Sequence, residues 1–161
     1  MSAAQLQAQA QPDAHAQPQP LSPPHAGRVA LVALTPEARS ALGGSEVVIT
    51  AFPFRAGRES RGSRWTGARM VRERRNPGAA PSNDLYLPDG EEPLNVSREH
   101  FQIERDGAGF ALVDRKSTCG TLVEGALVGG ETQGGSIPLR DGDVIIAGTS
   151  RSPFTFKFRV G

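Results

Sequence analysis

Apolar and polar residues alternate in several short stretches of the chain, and this alternation is typical of strands that bury one face. In the stretch 101–105 (FQIER), Phe101 and Ile103 alternate with polar neighbours. In a later stretch Phe154, Phe156 and Phe158 all fall on one face. The predicted strands are 29–34, 47–54, 83–87, 101–105, 110–113, 122–123, 127–128, 144–147 and 154–160.

Turn-forming residues separate these stretches and predict how they connect. Asp106-Gly107-Ala108-Gly109 predicts a hairpin between 101–105 and 110–113. The segment from Pro36 to Leu42 predicts a short helical turn that ends at two glycines. Short strands at this spacing, joined by Gly-rich turns, predict an all-β fold, a two-sheet antiparallel β-sandwich whose loops gather at its ends.

Composition narrows the class of protein. The sequence has 161 residues, a net charge of +1 and a pI near 8.0, so nothing in it predicts a global attraction to nucleic acid. One cysteine allows neither an intrachain disulfide nor a Cys-based zinc site. No stretch approaches the ~18 apolar residues of a membrane span. We therefore expect a cytoplasmic monomer without metal or cofactor.

Two segments depart from the strand pattern. Residues 1–27 are rich in Gln, Ala and Pro, and such a segment cannot bury enough apolar surface to order itself, so we expect a disordered tail before a domain at 28–161. His15 and His25 lie in the tail with too few further ligands for a metal site.

Residues 59–82 form a long insertion with six arginines among Gly and Pro residues. One interpretation is a basic arm for nucleic acid or an acidic partner, since Trp65 lies beside the arginines. The other is a solvated insertion, which Glu59 and Glu73 favour because they dilute the charge. Nucleic acid is therefore not the expected partner.

Short motifs follow one another in an order that points to a family. They are Gly57-Arg58, Asn83-Asp84, Ser97-x-x-His100, Asp114-x-x-Ser117-Thr118-x-Gly120-Thr121 and Leu139-x-Asp141-Gly142-Asp143. Each motif alone is weak, but the ordered set resembles the forkhead-associated (FHA) domain. The resemblance implies an FHA/SMAD-like β-sandwich and a binding module without catalytic activity. It also implies a preference for phosphothreonine over phosphoserine.

The residue types of these motifs suit a phosphorylated ligand. A phosphorylated side chain carries about −1.5 to −2 charge and three acceptor oxygens, so it favours a fixed arginine, hydroxyls and backbone N–H donors. Arg58 would supply the planar guanidinium, Ser97 and Thr118 hydroxyls, and Arg98 a further donor. The expected partner is a threonine-phosphorylated protein or a Ser/Thr kinase.

The resemblance assigns support of the binding loops to three residues, Gly57, His100 and Gly120. In the family, the histidine at this place stabilises the loops and does not touch the ligand. Ser97 and His100 could instead suggest a nucleophile and its base. No oriented acid and no glycine elbow accompany them, so we do not expect a hydrolase.

Cys119 departs from the family pattern. The family usually has asparagine there, which holds the main chain of the bound peptide, and a thiol is a weak donor and acceptor. Cys119 is either a small inert substitute or a reactive thiol activated by Arg115 and Lys116.

Three hypotheses follow from these motifs. The first is a phosphothreonine-dependent adaptor in kinase signalling. The second is an FHA-fold scaffold with a weakened phosphate pocket, which binds partners through its surface or its basic insertion. The third is an enzyme that uses Ser97 or Cys119.

Overall fold

The computed structural model describes residues 27–59, 63–66, 69–72, 82–90 and 92–161. Within these residues the chain forms thirteen strands and one short helix. In chain order they are β1 (Val29–Ala33), α1 (Pro36–Leu42), β2 (Glu46–Ile49), β3 (Phe54–Arg58), β4 (Ser63–Thr66), β5 (Arg69–Arg72), β6 (Leu85–Leu87), β7 (Phe101–Asp106), β8 (Gly109–Asp114), β9 (Thr121–Val123), β10 (Ala126–Val128), β11 (Gly135–Leu139), β12 (Val144–Ala147) and β13 (Thr155–Val160).

Two sheets carry the fold. The first has six strands in the order β10-β9-β12-β13-β1-β2, and the second has five in the order β11-β8-β7-β3-β6. The described strands pair antiparallel except β3 and β6, which are parallel. Parallel pairing needs a crossover of a dozen or more residues, and the long segment between β3 and β6 supplies it. The predicted sandwich is confirmed, with this one pair as the exception to the predicted antiparallel order.

One hydrophobic core joins the two sheets. Phe156 and Phe158 of β13 are fully buried, as are Ile103 of β7 and Leu112 of β8, and Phe154 just before β13 is 2% exposed. The alternation seen in the sequence therefore corresponds to inward and outward faces. Replacing one buried phenylalanine with alanine lowers the free energy of unfolding of a protein by about 3–5 kcal/mol. The core therefore stabilises the sandwich that carries the loops at its ends.

The predicted hairpin and helix are both present. β7 and β8 pair with Arg105 opposite Phe110 and Asp106 opposite Gly109, across a turn in which Gly107 has a φ of 57°. In α1 the Thr35 side chain accepts a hydrogen bond of 3.2 Å from the Ala38 backbone N–H, and Gly43 ends the helix in the left-handed region.

One strand prediction was wrong in detail, and one strand of the two sheets was missed. The stretch 47–54 was predicted as one strand, but it divides into β2 in the six-stranded sheet and β3 in the five-stranded sheet. Bends at 51–53 separate them, and Pro53 there has no N–H for a ladder. β11 was not predicted, because Gly135 and Pro138 dilute its pattern. Proline is tolerated there because β11 lies at the edge of its sheet.

The predicted insertion and tail are only partly described. Within 59–82, β4 and β5 pair antiparallel, which the sequence did not predict. The tail prediction falls on residues 1–26, outside the described residues. No helix in the described part of the chain has the length and apolar character needed to cross a bilayer. The same residues contain no group of three or more His, Cys, Asp or Glu arranged to hold a metal ion.

Candidate functional site

The five residues predicted to bind phosphopeptide line one open cavity of about 790 Å³ at an end of the sandwich. Arg58 comes from the last position of β3, Ser97 and Arg98 from the loop before β7, and Thr118 and Cys119 from the loop between β8 and β9. The fold thus brings together side chains that lie up to about 60 positions apart in the sequence.

Backbone contacts hold the Ser97 loop against β3. The Arg58 N–H donates to the Ser97 carbonyl at 2.8 Å, and the His100 N–H donates to the Ala56 carbonyl at 3.0 Å. A Cβ on Gly57 would lie 2.0 Å from the Arg98 carbonyl oxygen, so no other residue fits without moving the loop. The predicted supporting role of Gly57 therefore has a steric basis.

His100 lies fully buried and joins the two binding loops. Its Nδ1 accepts from the Ser97 N–H at 2.9 Å, and its Nε2 lies 2.8 Å from the Gly120 carbonyl oxygen. A carbonyl can only accept, so the proton of the neutral ring must sit on Nε2. Burial lowers the pKa of His100, opposed by the bond to Gly120 and by the carboxylates of Asp114 and Asp89. A neutral imidazole is the form that satisfies both bonds.

Ser97 also links the loops through its side chain. Its Oγ accepts a 3.0 Å hydrogen bond from the Thr118 N–H, and among the described residues its own O–H has no acceptor. The loop between β8 and β9 thus orients the Ser97 hydroxyl, while the hydroxyl proton remains available to an anionic ligand.

Asp114 stabilises the loop between β8 and β9 through buried hydrogen bonds. This carboxylate is buried, accepts from the Ser117 N–H at 2.9 Å and from the Ser117 hydroxyl at 2.6 Å, and leaves no room for a side chain at Gly129. The Ser117 Oγ in turn accepts from the Gly120 N–H at 2.9 Å. Gly120 has a φ of 75°, which favours glycine, and its predicted supporting role thereby gains a backbone reason.

Sequence reasoning missed the contribution of Asn83. This buried amide donates to the Arg98 carbonyl at 2.8 Å and accepts from Arg115 Nη1 at 2.6 Å. Arg115 also contacts Glu99, with 3.1 Å between Nη2 and Oε1. The Asn83-Asp84 motif marked the position, but its partners could not be read from spacing.

The electrostatics of the cavity favour an anion. Four cationic side chains line it (Arg58, Arg98, Arg115, Lys116), against the carboxylates Glu92 and Glu99. Glu99 is engaged by Arg115, whereas Arg58, Arg98 and Lys116 form no ion pair with a described residue. A dianionic ligand would therefore find three cations that have no carboxylate partner among the described residues.

Cys119 lies at the edge of the cavity and is partly exposed. Its thiol is 3.6 Å from the Leu94 carbonyl oxygen, a weak contact to the neighbouring loop. An asparagine amide at this position would offer stronger donors and an acceptor.

Residues 74–148 match the model of the FHA domain. The chain contains an FHA domain. The match begins after β3, so Gly57 and Arg58 precede it. β3 nevertheless pairs with β6 and β7, both inside the match, and Arg58 therefore belongs to the same sheet.

Solved structures of FHA domains share the fold. The FHA domain of the Arabidopsis kinase associated protein phosphatase, KAPP, is 22% identical with a TM-score of 0.54, over 84% of this chain and 94% of that one. EmbR of Mycobacterium tuberculosis, solved with a low affinity phosphopeptide, is 20% identical with a TM-score of 0.52. That match covers 84% of this chain, which spans only 25% of the EmbR chain. No curated protein matches the sequence.

Proposed function

We propose that this FHA domain is a phosphothreonine-dependent adaptor that binds threonine-phosphorylated proteins in Ser/Thr kinase signalling. Residues 28–161 would form the binding unit and residues 1–27 a tail, acting as a cytoplasmic monomer without catalytic activity. The observation that carries the proposal is the convergence of Arg58, the oriented Ser97 hydroxyl and two further cations on one open cavity. FHA domains capture phosphorylated motifs with arginine clusters of this kind.

Each group has a distinct role in the proposed complex. Arg58 places its planar guanidinium at the end of a rigid strand, where it can hold two phosphate oxygens at once. Ser97 donates its hydroxyl proton to a third oxygen, while Arg98 and Lys116 balance the remaining charge. Thr118 lies exposed on the facing loop and contributes its hydroxyl.

The geometry does not support a catalytic pair of Ser97 and His100. Both ring nitrogens of His100 are engaged by backbone groups, and Nδ1 faces the Ser97 N–H rather than its hydroxyl. The histidine therefore cannot take a proton from Ser97 without losing a loop contact.

The test is calorimetric titration with one threonine peptide in phosphorylated and unphosphorylated forms and with its phosphoserine counterpart. We expect binding of the phosphothreonine form only, and a loss of about tenfold to 150-fold for Arg58→Ala or Ser97→Ala, since a hydrogen bond to a charged group contributes about 1.5–3 kcal/mol. Arg140→Ala and Ser136→Ala are matched controls at exposed positions outside the cavity.

Unchanged affinity in both cavity variants would refute the assigned pocket. Equal affinity for the unphosphorylated peptide would favour the weakened-pocket alternative.

A further inference from the structure

A second cavity of about 690 Å³ adjoins the first. The two share a wall formed by Glu92, Pro93, Leu94, Asn95 and Cys119. A peptide chain held in the first cavity therefore has a direct path into the second, past Leu94 and Cys119. The second cavity therefore directly adjoins the proposed phosphopeptide site.

The second cavity combines apolar and acidic groups. Leu94 and Pro153 contribute partly exposed apolar surface, and the exposed Glu37 of α1 also lines the cavity. The position of α1 is set at its start, because the Thr35 hydroxyl donates to the Pro153 carbonyl and the Ala38 side chain is fully buried. Glu37 is therefore held beside the cavity by a fixed element.

The charges of the two cavities are opposite in sign. Among the described residues lining the second cavity there are three carboxylates (Glu37, Asp89, Glu92) and one cation (Arg151). Asp89 is engaged by the Asn95 and Val96 N–H groups at 2.6 and 2.8 Å, but it still contributes its charge. Glu37 and Glu92 form no ion pair with a described residue, so they remain available to a ligand.

We infer that the second cavity selects a lysine or arginine that flanks the phosphothreonine in the bound peptide. The inference rests on the proposed function, since the same peptide occupies both cavities. The aliphatic stem of the basic residue packs on Leu94 and Pro153, and its charged end reaches Glu37 or Glu92. An acidic residue at that place would meet three carboxylates against the single cation Arg151.

The experiment is a positional scan of one phosphothreonine peptide. Lys, Asp, Leu and Ala are placed in turn at each flanking position, and affinity is measured by fluorescence anisotropy. We expect at least one position where Lys binds about three- to tenfold tighter than Asp, as two exposed charge contacts allow.

A double variant then assigns the preference to this cavity. In the double variant Glu37→Gln and Glu92→Gln, the ratio of the affinities for the Lys and Asp peptides should fall to near one. The control is Glu104→Gln with Glu124→Gln, which changes the net charge equally outside both cavities and should keep the ratio.

The outcomes separate this inference from the proposed function. If phosphopeptides bind through Arg58 but show no flanking preference, or prefer Asp or Leu, the inference is wrong and the proposed function stands. If both double variants lose the preference equally, it reflects net charge and the inference is again wrong. If no phosphopeptide binds at all, both fail.

Discussion

The buried histidine makes a pH dependence of stability the sharpest test of the loop architecture. His100 is neutral in the folded chain, since Nδ1 accepts from Ser97 and Nε2 donates to Gly120. Burial lowers its pKa from the ordinary 6.5. As the pH falls below that value, the unfolded chain takes up a proton that the folded chain resists, so the free energy of unfolding decreases.

The magnitude follows from linkage. Between the ordinary pKa and the lower folded pKa, one group changes the free energy of unfolding by about 1.4 kcal/mol per pH unit. Below the folded pKa the ring is protonated in both states and the decrease stops. Protonation would place a hydrogen on Nδ1 against the Ser97 N–H, so the loop contact is lost with the stability.

The assay compares the wild type with His100→Gln by denaturant unfolding between about pH 5.5 and 7.5. Glutamine does not titrate and can still donate to Gly120, but Ser97 loses its acceptor, so we expect about 1–3 kcal/mol lower stability at the upper pH. The difference between the two proteins should shrink as the pH falls. His15 and His25 are present in both and cancel.

A constant difference across this pH range would refute the reasoning, because it would mean that His100 titrates alike in the folded and unfolded chains. Phosphopeptide affinity offers a second readout. The phosphate itself titrates with a pKa near 6, but it does so equally for both proteins, so only their ratio is used.

Three further predictions use other parts of the site. Gly57→Ala should lower the free energy of unfolding by about 1–3 kcal/mol, measured by denaturant unfolding, because the added Cβ would meet the Arg98 carbonyl. The control is Gly44→Ala, where a Cβ would have no atom within 4 Å and stability should stay nearly unchanged. Cys119→Asn should raise affinity about two- to tenfold for different phosphothreonine peptides alike, as one new hydrogen bond to the peptide main chain allows. Alkylation of the native thiol should weaken binding, and no effect of either change would place this loop away from the ligand. Residues 1–27 contain no threonine that a kinase could phosphorylate. Their deletion should therefore leave the phosphopeptide affinity measured by calorimetry unchanged, with or without prior kinase treatment. A large gain in affinity would instead indicate that this segment blocks the site.

Much of the fold could be predicted because it is encoded locally. The hairpin of β7 and β8 depends on alternation and a turn between adjacent stretches, and α1 on a capping threonine and a terminal glycine. Three of the ordered motifs marked residues that line the cavity (Arg58, Ser97 and Thr118), because these lie near the ends of strands. β11 was missed for a local reason too, since glycine and proline interrupt its pattern.

Contacts between distant segments were decided only by the tertiary structure. Asn83, Arg98 and Arg115 meet because β6 lies parallel to β3 at one end of the sandwich, and no spacing in the chain signals that arrangement. The second cavity arises where α1, the segment before Ser97 and the turn before β13 come together. Its acidic character could not be predicted, because each carboxylate alone looks like an ordinary surface residue. The sequence determines which groups are available, and packing of the two sheets determines which of them line one cavity.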